Sequence, residues 1–188
     1  DTNAAFCYKI INAAPSLAKI EQREPDNKLI LEFIDKALNG KAGPKDYAGA
    51  RELVARHGDG LKLAERAASA PGLDWEIDWN HDPIWEMPIP QYFGVVMMGR
   101  MLAVRAILEA RDGRLRQAVE SVRLGLVMSR ALGDQDHLIG TLCQMLISKS
   151  VLDAAGVVLR EAPLSLASKQ WQPLLSPESV EKSFWAAM

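Results

Sequence analysis

The segment from Gln91 to Arg111 limits the fold of this chain more than any other part of the sequence. Its apolar residues, placed on a helix, cover most of the circumference: Val95, Val96, Met97, Met98, Met101, Leu102, Val104, Ile107 and Leu108. A helix that is apolar nearly all round belongs in an interior. Arg100 and Arg105 interrupt the stretch, which also falls short of the roughly 20 apolar residues that a membrane span needs. We therefore predict the central helix of a soluble all-α bundle, with no membrane span.

The rest of the chain also shows apolar residues three or four positions apart, the spacing of amphipathic helices. We predict helices over about 3–14, from an N-cap at Asp26 to Gly40, from Pro44 to about Ser69, over 114–132, from Asp134 or Asp136 to about 160, and from Pro177 onward. Gly58 and Gly60 either split or kink the third of these. No segment alternates apolar and polar residues over a sustained length. Short turns such as Asp112-Gly113 are typical of antiparallel helical hairpins.

The length of 188 residues suits a single domain. We divide it into N-terminal helices in 1–70, a connecting loop in 71–90 and C-terminal hairpins in 91–188. The chain starts with Asp1 rather than Met, and the helix predicted from Pro177 has no stop signal before Met188. We expect a fragment of a longer, exported protein, with a cytoplasmic location as the alternative. Cys7 and Cys143 are predicted to be buried thiols, although a disulfide between them stays open.

The hairpin over residues 102–130 resembles a tetratricopeptide repeat. Small residues stand at matching positions of the two helices and the turn: Ala106, Gly113, Ala118 and Gly125. The sequence departs from the family pattern at Leu102, Glu109, Val122 and Arg130, and no convincing second copy follows. The resemblance implies a helical-hairpin scaffold, packed as a bundle or as a short solenoid, whose first helix lines a concave surface for a partner. The matching positions are Arg100, Ala103, Ile107 and Arg111, which would suit an acidic peptide.

The order of features is also loosely similar to an uncharacterised family of bacterial helical proteins that are often exported. The features are Asn3-Ala4-Ala5, Asp74-Trp75, the hydrophobic helix over 97–108, and Gly133-Asp134. This similarity implies a bacterial origin and export, and it implies no particular activity.

Residues 71–90 contain four prolines, which exclude a long helix. This loop carries five acids, no Lys or Arg, and three tryptophans. Its Trp rings either anchor the loop as a strap across the bundle or form a binding surface for a sugar or peptide. The residues of such a surface are Asp74, Trp75, Asp78, Trp79, His81, Asp82 and Trp85. A metal site at Asp74, Asp78, His81 and Asp82 is the third interpretation, but the EF-hand spacing is absent and we predict no metal.

Arginines crowd the predicted hairpin that follows the acidic loop. They are Arg100, Arg105, Arg111, Arg114, Arg116, Arg123 and Arg130. Arginine suits bidentate pairing with carboxylates. We therefore hypothesise that some of them pair with loop carboxylates, for example Arg105 with Asp78, the alternative being a solvated charged face. A net charge of -2 and the lack of aromatic residues on this hairpin argue against nucleic acid as a partner.

No metal-binding H-E-x-x-H, no nucleophile elbow and no phosphate-binding glycine loop occurs in the chain. The sequence therefore predicts a non-enzymatic helical scaffold or protein-interaction domain that uses no cofactor and binds a protein or peptide. A small-ligand or carbohydrate-binding domain, or a weak enzyme, using the loop from Asp74 to Glu86 is the alternative. The oligomeric state stays open.

Overall fold

A computed structural model describes residues 20–69, 92–133 and 138–161 of the chain. These residues form six α-helices and no strand, which confirms the all-α prediction for the described part. The helices are α1 (Ile20–Leu38), α2 (Pro44–Arg56), α3 (Gly58–Ala68), α4 (Phe93–Arg111), α5 (Leu115–Gly133) and α6 (Leu138–Glu161). The helices predicted over 3–14 and from Pro177, and the loop over 71–90, lie outside the described residues.

Helix α4 is the centre of the bundle and contacts each of the other five described helices. Every residue from Gly94 to Ala110 except Arg105 is buried. The methionines at 97, 98 and 101 are completely inaccessible. Burial on all sides is what an all-round apolar helix requires, because any exposed side would place apolar surface in water. The prediction of a central helix is confirmed.

Helices α4, α5 and α6 each contact the other two, and they form a three-helix core in which α5 runs antiparallel to both neighbours. The α4–α5 turn depends on Gly113, whose φ of 75° is a left-handed conformation that side chains with a Cβ rarely adopt. The amide of Gly113 donates to the carbonyl of Ala110, and the amide of Arg114 donates to that of Glu109. These two bonds satisfy carbonyls that the end of a helix leaves without partners.

Glycines let α6 approach the other two helices of this core closely. A Cβ atom at Gly99 would lie 2.6 Å from Cγ2 of Ile147, and one at Gly125 would lie 2.6 Å from Cγ2 of Val151. Real Cβ atoms do not come this close to other carbon atoms, so both crossings require a glycine. The small residue expected at position 125 therefore has a packing reason.

Helices α1, α2 and α3 pack against the three-helix core, and the C-terminal end of α1 is held by α6. The guanidinium of Arg160 donates to the carbonyls of Ala37 and Leu38, at 2.6 and 2.8 Å. These carbonyls belong to the last turn of α1, where a positive charge also complements the helix dipole. Arg160 of α6 therefore caps the C-terminal end of α1.

The predicted start of α1 is wrong, and the structure shows which of the two alternatives for residues 44–69 is correct. Helix α1 begins at Ile20 rather than after Asp26, and Pro25 lies inside it. The N-cap prediction for Asp26 was wrong, because its carboxylate contacts side chains at the end of α2 instead of free amides of its own helix. Between Pro44 and Ser69, the two-helix alternative is confirmed, and the helices meet at His57.

Helix α6 has the length and apolar composition of a membrane-crossing helix, the only such helix among the described residues. About a third (33%) of its most apolar window is buried inside the bundle. Core helices of globular proteins have the same composition, so this property alone is weak evidence for a membrane span. Its contacts with α4 and α5 are among the most extensive in the bundle.

We expect Gly99→Ala to destabilise the protein by about 1–3 kcal/mol, although alanine is the better helix former. The added methyl group would collide with Ile147, and urea unfolding measures the loss. Gly49→Ala is the matched control, because Gly49 is exposed inside α2 with no atom within 4 Å of an added Cβ. That change should stabilise by about 0.5–1 kcal/mol. Equal effects at the two sites would contradict the close crossing.

We expect part of the stability of the protein to be lost as the pH falls from about 5 to 2. Bidentate hydrogen bonds from Arg51, with a further bond from Arg114, lower the pKa of Asp112 from its ordinary value of 3.8 to about 2. A carboxylate with a lowered pKa stabilises the folded state above the pKa of the unfolded chain, and this contribution disappears as it is protonated. Asp112→Asn should therefore destabilise by less than about 1 kcal/mol at pH 7, since the pair is partly exposed.

The free energy of unfolding in urea at pH 7, 5 and 3 measures this contribution. The difference between Asp112→Asn and the native chain should shrink toward low pH, and Arg51→Gln should remove most of the same pH dependence. A difference that stays constant with pH would show that the ion pair is not its source.

Candidate functional site

The four positions predicted from the repeat resemblance do not form an open surface. Ala103 and Ile107 are completely buried, and Arg100 is only 7% exposed. Arg111 alone is exposed, with its guanidinium carbon 5.6 Å from the ring centroid of Tyr47 in α2. Helices α1 and α2 contact α4 on this side, so a partner cannot reach its buried residues in this arrangement.

The binding residues predicted in the acidic loop lie outside the described residues. They are Asp74, Trp75, Asp78, Trp79, His81, Asp82 and Trp85. The ligand-binding interpretation of this loop stays a prediction, as does pairing of its acids with arginines. Arg105 has other partners: its Nη1 donates to Glu65 and its Nε donates to Ser121.

A polar cleft lies between α3, α4 and α5, and we call it the α3–α5 cleft. Its volume is about 330 Å³. Its lining residues are Glu65 and Ser69 from α3, Arg105 and Glu109 from α4, and Gln117, Glu120, Ser121 and Leu124 from α5. The cleft lies beside Arg105, the residue between Gly94 and Ala110 of α4 that is not buried.

The guanidinium of Arg105 links the three helices that form this cleft. Its Nη1 lies 2.5 Å from Oε1 of Glu65 in α3, and its Nε donates to Oγ of Ser121 in α5 at 2.9 Å. The hydroxyl of Ser121 then donates to Oε2 of Glu109 at 2.7 Å, which returns the chain of bonds to α4. Every member of this network has a partner, so its geometry is fixed before any ligand binds.

The cleft is lined by more negative than positive charge. Glu65, Glu109 and Glu120 face one lining guanidinium, that of Arg105. Two hydrogen bonds from Arg123 lower the pKa of Glu120, which keeps this carboxylate ionised. Each carboxylate offers about four acceptor positions, and the bonds above use only some of those on Glu65 and Glu109. The cleft can therefore accept further hydrogen bonds from a cation.

The cleft residues do not form a catalytic pair of the usual kind. No histidine or cysteine lines the cleft. Ser121 is only 1% exposed, and its hydroxyl is hydrogen-bonded to both Arg105 and Glu109. Within residues 20–69, 92–133 and 138–161, no group of His, Cys, Asp and Glu side chains could hold a metal ion.

A buried histidine–aspartate pair was missed by sequence reasoning. Nε2 of His57, at the α2–α3 junction, lies 2.8 Å from Oδ2 of Asp26, and Nη1 of Arg56 donates to the other carboxylate oxygen. His57 is 1% exposed and Asp26 is 4% exposed. Since both groups are inaccessible, the pair joins α1 to the junction and does not contact a substrate. One sequence signal was present: His57 continues the spacing of Ala50, Leu53 and Val54 on the buried side of α2.

Arg100 is another buried polar residue of the core. Its Nη1 donates to Oδ1 of Asn27, and its buried Nε has no hydrogen-bond partner in the described part of the chain. Burial lowers the pKa of Arg100, and burial also raises the pKa of the nearby Cys143 thiol. Cys143 is a half-buried free thiol, and Cys7 lies outside the described residues.

Comparison of the chain with protein families, with characterised proteins and with solved structures found no match.

We expect Asp26→Ala to destabilise the protein by about 3–5 kcal/mol, because it leaves the buried His57 ring without its partner. Glu32→Ala, on the same helix, removes only an exposed pair with Lys28 and should change stability by less than about 0.5 kcal/mol. Urea unfolding of both variants makes the comparison. Similar losses of unfolding free energy in Asp26→Ala and Glu32→Ala would contradict a role of Asp26 in joining α1 to the α2–α3 junction.

Proposed function

We propose that this chain is a non-enzymatic helical scaffold that binds a protein partner, and that the α3–α5 cleft receives a basic side chain of that partner. One observation carries the proposal: three carboxylates and a single guanidinium line an open cleft between three helices. Complementary charge is a common means by which interfaces select a partner and fix its register.

The size of the cleft supports a single side chain rather than a large ligand. A volume of about 330 Å³ is at the lower end of the roughly 300–1,000 Å³ typical of small-molecule sites. The side chains of Glu65 and Glu120 are 43% and 51% exposed, whereas Glu109 lies deeper at 11% exposed. A lysine or arginine of a partner would meet Glu65 and Glu120 first and Glu109 on further insertion.

The charge of this cleft differs from that of the surface implied by the repeat resemblance. The resemblance favours an acidic peptide along α4, through Arg100 and Arg111. The buried position of Arg100 removes one of those contacts, and the carboxylates of the α3–α5 cleft favour a basic segment instead. The proposal therefore keeps the scaffold function and reverses the charge of the partner.

Binding of a fluorescently labelled octalysine peptide tests the proposal. Glu65→Gln keeps an oxygen that can accept from Arg105 and removes one negative charge from the cleft. We expect it to weaken octalysine binding by about three- to tenfold at low salt, equivalent to roughly 1 kcal/mol. Fluorescence anisotropy gives the dissociation constants, and added salt should weaken binding by the native chain.

Glu52→Gln is the control, because Glu52 is exposed on α2 and does not line the cleft. It removes the same charge and should leave octalysine affinity within about twofold of native. Equal losses in the two variants would show attraction to net charge alone and overturn the proposed site. Preference for a labelled octaglutamate peptide would overturn the proposed charge of the partner.

A further inference from the structure

Another concave feature lies between α1, α2 and α4, and we call it the α1–α2 pocket. Its volume is about 160 Å³. Most of its lining is apolar and comes from all three helices: Leu29, Phe33, Gly49, Ala50, Leu53 and Val104. Leu29 is 54% exposed at the side of the pocket, whereas Phe33 and Leu53 are nearly buried beneath it. The pocket therefore offers an apolar floor that water reaches only from one side.

The size of the pocket suits a single aromatic ring. A cavity of roughly 150 Å³ with apolar walls can hold benzene, whereas small-molecule sites begin at roughly 300 Å³. The ring of Phe33 packs edge-on against Tyr47, with ring centroids 5.5 Å apart and an angle of 84° between the rings. This packing fixes the aromatic part of the lining before anything binds. A side chain of a polymer fits these dimensions better than a larger free ligand.

Gly49 leaves the pocket open, and the fold gives no reason for a glycine there. It lies in the middle of α2, where glycine is less favourable than alanine by about 0.5–1 kcal/mol. In the described part of the chain, no atom lies within 4 Å of a Cβ added at Gly49, so no helix crosses closely. It also lacks the positive φ of Gly40 and Gly113. An occupant of the space beside it explains why a larger side chain is absent.

The pocket also carries a cation that the fold leaves unpaired. Nζ of Lys36 lies 2.7 Å from Oδ1 of Asp46, whose other oxygen accepts from a backbone amide. Glu32 faces Lys28 at 3.8 Å. Lys45 completes the charged lining, and its ammonium has no hydrogen bond or ion pair within residues 20–69, 92–133 and 138–161. The free charge of the pocket is therefore positive, and it complements a carboxylate.

We propose that the α1–α2 pocket binds an aromatic side chain of a protein partner, and that Lys45 pairs with a carboxylate beside that side chain. The occupant is an acidic segment that contains one phenylalanine. The ring is required, because an ion pair with the exposed Lys45 alone contributes little. The pocket shares no lining residue with the α3–α5 cleft. A partner that also places a basic side chain in that cleft would be held at two separate points.

A synthetic peptide with one phenylalanine between two pairs of aspartates tests the proposal. Two-dimensional NMR of the isotope-labelled 188-residue chain gives the dissociation constant and the amides that shift. We expect the amides of α2 around Gly49 to shift. A peptide with alanine in place of phenylalanine should bind more weakly by about fivefold or more. Because the chain has a net charge of -2, general attraction cannot explain binding of either acidic peptide.

Gly49→Leu fills the pocket and should weaken binding of the phenylalanine peptide by about fivefold or more. It should not unfold the chain, because the added side chain meets open space and leucine is the better helix former. Ala48→Leu is the matched control, since Ala48 is exposed on the same helix and does not line the pocket. Its affinity should stay within about twofold of native. Equal losses in the two variants would overturn the pocket as the site.

Lys45→Gln should weaken binding by about two- to fivefold at low salt, whereas Lys41→Gln should leave it within about twofold of native. Lys41 is also exposed but does not line the pocket. Equal effects of the two changes would overturn the role of Lys45. Equal affinity for the alanine peptide would overturn the aromatic occupant, and equal affinity for free 3-phenylpropionate would assign the pocket to a small carboxylic acid instead. Glu65→Gln should not change this binding, so failure of the cleft proposal is distinguishable.

Discussion

The fold depends on the burial of α4 on all sides. An all-round apolar helix has no surface that water can cover without a free-energy penalty, so other helices must surround it. The glycine at 99 lets α6 come close enough to do so. Burial also restricts polar residues of α4, because each must find its partners inside the protein. Arg105 and Glu109 satisfy this requirement through Glu65 and Ser121, and the α3–α5 cleft is the result.

The sequence predicts those parts of the fold that local patterns determine. The apolar circumference of α4, the turn at Gly113 and the break near Gly58 are all properties of neighbouring residues, and the structure agrees with each. The pairing of Asp26 with His57 joins residues 31 positions apart. Asp26 looks like an N-cap when only its neighbours are considered, and a tertiary contact overrides that local preference.

The candidate site is less predictable because its charge depends on several helices. Sequence reasoning identified a crowded set of arginines on α4 and α5 and looked for their partners in the loop before them. Within the described residues, Arg105 instead pairs with Glu65 of α3, forty positions away. The arginine-rich hairpin itself contributes Glu109 and Glu120 to the cleft, and α3 adds Glu65, so the lining is acidic although the hairpin carries many arginines. The net charge of a cleft follows from packing, which the spacing of residues along one helix does not contain.

The bonds from Arg160 to the end of α1 have a consequence for synthesis on the ribosome. The acceptor carbonyls are translated 122 and 123 residues before the guanidinium that binds them. At about 5–20 residues per second, the last turn of α1 waits roughly 6 to 24 seconds for this partner. During that interval the nascent helices have neither α6 nor its cap. Until α6 emerges, the apolar side chains of α4 that it covers lack this part of their burial.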